Sequence, residues 1–536
     1  MANPDHWPND PEKERYRMKT VLMRMIGMAV LLSVSVSAQN PANMLTLQVD
    51  KAEHTISRHL YGHFAEHLGR CIYGGCWVGE NSAIPNVRGI RQDVVQALRD
   101  IAIPNLRWPG GCFADTYHWK DGVGPRDQRP TIINVHWGGV TEDNSFGTHE
   151  FMDLCDQLGC DPVICGNLGS GTVQEMAQWV EYLTSDNISP MTEWRKKNGR
   201  DKPWRVPFWG LGNENWGCGG NMTAAYYSDE MRRYSTFCKN FSGNELYKVA
   251  CGPYGDLIEW TETLMKDEST RRMFNGLSLH HYTVCHDWGK KGSAIAFDES
   301  EWFTTMKKTL EMETHIRRHA EIMDRYDPEK RIGLVVDEWG NWHDVEPGSN
   351  PGFLYQQNTL RDALVAGINL NLFNNHCDRV TMANIAQTIN VLQAMLLTRD
   401  DKLVRTPSYY VFKMYKVHHD ATRIPVALQS ESFSVGSESL PALTASASRN
   451  AAGILHLSIT NIDLHQSREL VCELAGVGSI QRVSGEVLTA FAMNAYNDFD
   501  KAETVRPAVF ERFMVKANRL HVTVPAKSVV VLEIHL

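Results

Sequence analysis

The chain has no glycine-rich fingerprint of a dinucleotide-binding turn, no Cys-x-x-Cys pair and no Cys/His spacing of a zinc site. It also has no Lys/Arg cluster interleaved with aromatic residues. These absences argue against nucleotide redox chemistry, a structural or catalytic zinc ion and a nucleic-acid partner. The formal net charge of −9 is modest for 536 residues, which leaves a neutral or acidic polymer admissible as a ligand. The apolar run from Met25 to Val36 is too short for a comfortable membrane span. Lys19 and Arg24 precede that run and Val36-Ser37-Ala38 follows, which predicts a secretory signal over residues 1–38 and an exported protein, periplasmic or extracellular. Residues 1–17 form a polar preface, with Met18 as an alternative start. No cysteine follows the expected cleavage site, which argues against a lipid anchor. Twelve cysteines are dispersed along the chain. Their spacing predicts buried or half-buried free thiols, with one local bridge, Cys71 to Cys76, as the candidate pair.

Tryptophan is abundant, with fifteen residues, and two stretches use it in the same way. In PFWGLGNENWGCGGN, Pro207 to Asn221, the strand-forming Phe208, Trp209 and Leu211 give way to glycines, so Glu214 should stand where a buried strand opens into a loop. In RIGLVVDEWGNWHD the apolar run Ile332 to Val336 delivers Asp337 and Glu338 into an aromatic loop with Trp339 and Trp342. Taken alone, Glu214 is equally well read as a strand-end partner in a structural salt bridge. Two carboxylates on strand ends of one scaffold, however, are what glycoside hydrolysis needs: one protonates the leaving oxygen, and the other attacks or activates water. Indole faces suit sugar rings.

The length accommodates a domain of α/β-barrel size and a second domain. Leu45, Leu47 and Val49 alternate with polar residues and predict a half-buried strand within 39–56 that joins the C-terminal domain. Residues 57–404 alternate strand and helix patterns. Strands are expected at PNLRWPGG, DPVICGNLG, GLSLHHYT, IGLVVDEWG and NLNLFNN, with helical faces at Val94/Leu98/Ile101, Phe151/Leu154/Leu158 and Val173/Met176/Val180. Polar residues gathered at strand ends predict a parallel (β/α)8 barrel with its site at the C-terminal face, an open doubly wound sheet being the alternative. Glu214 and Glu338 then lie four strand-helix units apart, or three with an insertion at Asp287 to Phe303. From about Arg405 to residue 536 the pattern is strands only, which predicts an antiparallel, jelly-roll-like β-sandwich.

The motifs LYGHFAEHLG, LRWPGGCFAD, WGLGNENWGCGG, SLHHYT, DEWGNW and MANIAQTINV, in this order, resemble the α-L-arabinofuranosidases of glycoside hydrolase family 51 over essentially everything after the expected signal. The resemblance implies a retaining exo-enzyme with Glu214 as general acid/base and Glu338 as nucleophile, a division of roles that the local patterns do not make. It further implies that Glu66 binds furanose hydroxyls, Glu66 pairing with Arg107 being the plainer reading, or that Arg107 orients Glu338. Asn213 would bond the hydroxyl next to the anomeric carbon, His280 and Tyr282 would stand by the nucleophile, and Trp342 and Gln387 would line the pocket. Cys112 falls where some relatives have Asn, and a thiol is the weaker hydrogen-bonding group. The implied substrate is an arabinose-bearing plant polysaccharide or oligosaccharide, arabinoxylan or arabinan, and relatives that are often hexamers suggest a homo-oligomer. No cofactor or metal is expected in the chemistry. The pairs His280-His281 and His418-His419 cannot share an ion, because adjacent strand residues point to opposite faces. An endo-acting glucanase or xylanase and a non-catalytic carbohydrate-binding protein are the alternatives.

Overall fold

The computed structural model describes residues 42–536; the expected signal segment lies outside them. Eight parallel strands close into a barrel: β1 (Gly62–Phe64), β2 (Asn105–Trp108), β3 (Asp161–Gly166), β4 (Phe208–Leu211), β5 (Tyr247–Ala250), β6 (Gly276–Thr283), β7 (Gly333–Asn341) and β8 (Val380–Ala386), with β8 pairing back to β1. The closed ring replaces the open-sheet alternative. β6 and β7 are buried at every position, as expected of barrel strands covered by side chains inside and helices outside. Within the ring Val163, Val249, Val335 and Met382 pack as a separate apolar plug.

Glu214 follows β4 and Glu338 sits on β7, so the two are three units apart. The excess length lies between β6 and β7, where irregular chain precedes the helix Glu299–Tyr326. β5 is short and escaped the periodicity reading.

Two further expectations fail. NLNLFNN is no strand: it is the end of the helix Leu360–Asn375, whose residues are buried on all sides up to Asn374. With both faces covered, the Leu370/Leu372 alternation carries no information about period. The eighth strand is instead Val380–Ala386. The segment after Arg405 is also not strands only, because a helix runs Pro407–Tyr415, with the Thr406 side chain accepting from Tyr409 N–H and Pro407 in the first turn.

Two sheets form the C-terminal sandwich. One has five strands, in the order Val426–Gln429, Met44–Gln48, Arg468–Ala475, Arg519–Val524 and Phe513–Lys516. The early strand Met44–Gln48 lies antiparallel to Val426–Gln429 but parallel to Arg468–Ala475, so the domain is not purely antiparallel. Leu45 and Leu47 point into a core with Leu457, Val522 and Leu532. The six-stranded sheet faces the helix Leu360–Asn375. There Asn371 donates to Thr444 Oγ1 at 3.1 Å and Asn374 to Ser446 Oγ at 3.1 Å. Gly367 permits the approach, since even a Cβ there would lie 2.8 Å from Thr460 Oγ1. Gly367→Val should therefore destabilise the protein by about 1–3 kcal/mol through overpacking. Urea denaturation checks this, and an unchanged midpoint would contradict so close a contact.

Candidate active site

The C-terminal ends of the barrel strands converge on a buried group of charges. Arg107 ends β2, His280 and Tyr282 end β6, and Asp337 and Glu338 lie on β7. Glu214 stands three residues beyond β4 with φ +42°, a left-handed conformation that a non-glycine residue holds only where its surroundings enforce it. Here the enforcement is visible. Asp115 accepts from the backbone N–H groups of Asn213 (2.9 Å), Leu168 (2.8 Å) and Gly169 (2.7 Å). Asn215 donates to Gly219 O at 2.6 Å, and Trp216 Nε1 donates to Gly252 O at 3.0 Å. A Cβ on Gly219 would fall 1.9 Å from Asn213 O, so only glycine lets the loop fold back this tightly.

His280 links the two glutamates. Its Nδ1 lies 3.0 Å from Glu214 Oε1 and 3.2 Å from Glu338 Oε2, and its Nε2 lies 3.2 Å from Asp337 Oδ1. Burial alone would depress its pKa, but Glu338, Asp337 and Glu214 outweigh burial and raise it to about 10, so the ring is a cation. Arg107 sets its Nε 3.4 Å from Asp337 and its Nη1 3.3 Å from Glu338, and its Nη2 donates to Asn213 Oδ1 at 2.5 Å. Tyr282 OH donates to Glu338 Oε1 at 2.6 Å. Burial lifts the Glu338 pKa above the ordinary value, with Glu214 adding to it and His280, Arg107 and Tyr282 opposing. Asp337 is also buried, yet Arg107 and His280 hold its pKa below the carboxylate norm.

Glu66 forms the closed side. Its Oε1 accepts from Gly111 N–H (2.9 Å), Phe113 N–H (3.1 Å) and Trp137 Nε1 (2.9 Å), and its Oε2 accepts from Gln387 Nε2 (2.9 Å). Burial first, and the Glu338 charge second, push its pKa up to about 7. The alternative pairing of Glu66 with Arg107 gives way to these bonds, and Arg107 serves Asp337 and Glu338. Asn213 Nδ2 and Gln387 Oε1 are buried and have no hydrogen-bond partner among the described residues. A Cβ on Gly111 would stand 3.4 Å from Glu338 Oε2 and 3.5 Å from Asn213 Nδ2, so its absence keeps space open beside both. Trp342 packs edge-on against Tyr282 (4.9 Å) and Trp288 (5.4 Å).

Cys112 departs from expectation. It is joined to Cys218 across 106 residues of chain, while Cys71 and Cys76 stay unbridged. The contact imagined for a Cys112 thiol is therefore lost, since a disulfide sulfur has no S–H to donate. The bridge ties the loop after β2 to the loop after β4, with Cys218 Sγ 3.5 Å from Glu214 Oε2. No local spacing could reveal a bridge between residues so distant in sequence. Asp337, Asp115 and Trp137 were missed as well. Alternation should have sent Asp337 and Glu338 to opposite faces, but the strand register shifts between Val336 and Trp339 and again between Ser278 and His280, so both carboxylates reach His280.

Two family models match the chain, the alpha-L-arabinofuranosidase 1 domain over residues 97–299 and the alpha-L-arabinofuranosidase C-terminal domain over 337–528. An intracellular exo-alpha-L-arabinofuranosidase of Bacteroides ovatus is 52% identical, covering 94% of this chain and 97% of that one. The chain belongs to the α-L-arabinofuranosidases of glycoside hydrolase family 51. The crystal structure of the family 51 arabinofuranosidase from Xanthomonas axonopodis pv. citri superposes with a TM-score of 0.90 at 48% identity, over 92% of this chain and 99% of that one. The Thermotoga maritima α-L-arabinofuranosidase in its arabinose complex gives 0.79 at 29% identity, over 92% and 100%. Both share the arabinofuranosidase barrel and sandwich. The Bacteroides relative also overturns the expectation of export, since it is named an intracellular enzyme.

Because His280 holds its proton up to about pH 10 when folded, against 6.5 ordinarily, protonation adds stability that is complete below pH 6.5 and fades as pH rises through about 10. Urea midpoints measured across this window should fall more steeply for the wild type than for His280→Gln. Equal slopes would contradict a cationic His280.

Proposed function

We propose that this glycoside hydrolase is a retaining exo-α-L-arabinofuranosidase that removes terminal non-reducing α-L-arabinofuranosyl residues from arabinoxylan, arabinan or their oligosaccharides. The observation that carries the retaining reading is the separation of the catalytic pair: one carboxylate oxygen of Glu214 and one of Glu338 lie within 4.8 Å of each other. Retaining enzymes hold their carboxyl groups about 5–5.5 Å apart, whereas inverting ones need roughly 6.5–9.5 Å to admit a water. With no room for that water, Glu338 attacks the anomeric carbon while Glu214 gives its proton to the departing oxygen. Once the leaving group has gone, water enters and Glu214 takes a proton from it, releasing the sugar from the Glu338 ester.

Each neighbour has a part in this sequence. Arg107, His280 and Tyr282 contact the Glu338 carboxylate and fix its direction of attack. As the ester forms, the negative charge on Glu338 is lost, which leaves Glu214 as the carboxylate that takes up a proton. Asn213 Nδ2, unpartnered and pinned by the Arg107 bond to its Oδ1, supplies a donor to the hydroxyl beside the anomeric carbon, where a bond strengthens as positive charge develops. Glu66 and Gln387, each 1% exposed, close the far side, which favours a terminal sugar over the interior of a chain and so an exo over an endo enzyme.

Glu338→Ala should abolish turnover even of aryl arabinofuranosides, and added azide should restore it with a product of inverted configuration. Wild-type turnover in that variant would sink the assignment. Glu214→Ala should slow the glycosylation step far more for natural arabinosides than for aryl ones, whose leaving groups need little protonation. Pre-steady-state rates for the two substrate classes compare them, and equal losses would remove Glu214 from the role of acid.

A further inference from the structure

On β6 the two adjacent histidines face opposite ways. His280 points inward to the catalytic carboxylates, and His281 points outward to the long helix Glu299–Tyr326. There His281 meets two residues of that helix spaced by one turn, Glu311 and His315. One nitrogen of each imidazole and one carboxylate oxygen of Glu311 all lie within 4.8 Å of one another. They line a cavity of about 270 Å³ with Tyr254, Asp256 and Trp288.

The geometry points to a binding site for a divalent transition-metal ion of the zinc type on the outside of the barrel, held by His281, Glu311 and His315. Two histidines and a glutamate with a fourth position left open is a ligand set that zinc accepts. Bonds of about 2.0–2.1 Å in a tetrahedron place ligand atoms roughly 3.3 Å apart, so a modest closure suffices, and the half-exposed Glu311 side chain can supply it. Its present partner Lys308, at 2.9 Å, is itself 39% exposed, and such surface pairs hold weakly.

The strongest observation concerns His281. The residue is 6% exposed and its Nδ1 has no hydrogen-bond partner among the described residues, while its Nε2 lies 3.4 Å from Lys308 O. A buried nitrogen left without a partner is costly, and an ion held between His281, Glu311 and His315 would satisfy this one. With its Nε2 turned toward Lys308 O, His281 leaves the Nδ1 lone pair as the one available to an ion. The His315 ring lies 4.6 Å from it, and the Asp256 carboxylate approaches His315 Nδ1 to 3.1 Å, as an outer carboxylate does when it orients a coordinating imidazole. An ion here would clamp the helix Glu299–Tyr326 to β6 behind the catalytic histidine. It would take no part in the glycoside chemistry, which lies on the other face of the strand.

Untagged protein stripped with EDTA, re-equilibrated with zinc chloride and assayed for bound metal tests this directly. One zinc ion per chain is expected, with affinity reduced at least about tenfold in Glu311→Gln and in His315→Gln, and anomalous scattering at the zinc edge should place the ion beside His281. Circular dichroism confirms that these variants fold, and Glu311, on the surface, is the safer of the two. Turnover of an aryl arabinofuranoside should be the same with and without the ion, while thermal unfolding shifts upward with zinc in the wild type alone. Zinc retained equally by the variants, no zinc retained by the wild type, or turnover that depends on the ion would each overturn the proposal.

Discussion

Everything at the mouth of this barrel depends on keeping several carboxylates together away from water. Glu214, Asp337 and Glu338 crowd around two cations, Arg107 and His280. Any one of these acids buried alone would give up its charge, because desolvation penalises the ionised form. Arg107 and His280 hold the Asp337 pKa down and oppose the rise that burial imposes on Glu338, and the strands that carry them fix where each group points. His280 is the keystone, since it touches all three carboxylates. Its protonation is a consequence of their presence and also the condition for their proximity.

The scaffold around this group is built to resist movement. Asp115 ties the loop after β4 to the loop after β3 through backbone N–H groups, and the Cys112–Cys218 bridge ties it to the loop after β2. Glu66 draws the Gly111 and Phe113 amides and the Gln387 side chain into one wall. Preorganisation of this kind lets the site stabilise developing charge without reorienting at the moment of reaction. Asn213 Nδ2 and Gln387 Oε1 are among the buried polar atoms it leaves without a partner among the described residues.

The sequence reveals this site unevenly, for physical reasons. Glu214 and Glu338 are legible because each follows an apolar, strand-forming run and is flanked by tryptophan and glycine, a context that surface glutamates seldom have. The barrel is legible in its repeated strand and helix patterns, and the sandwich in its alternation. Period fails where both faces are covered, as in the helix Leu360–Asn375, and where a bulge breaks alternation, as around Asp337. It is silent on contacts made only by topology: Cys112 with Cys218, Asp115 with the Glu214 loop, and His281 with a helix that begins sixteen residues beyond β6. The division of roles between the two glutamates likewise came from family resemblance, because a strand-end carboxylate looks the same whether it attacks or donates.

The claim on which the account rests is that Glu338, close beside Glu214, attacks the sugar directly and that a second displacement by water then follows. Two inversions at one carbon restore its configuration. Proton NMR of the first sugar released from an α-L-arabinofuranoside, recorded before mutarotation, reads the outcome. The account predicts α-L-arabinofuranose as the initial product; β-L-arabinofuranose would contradict it.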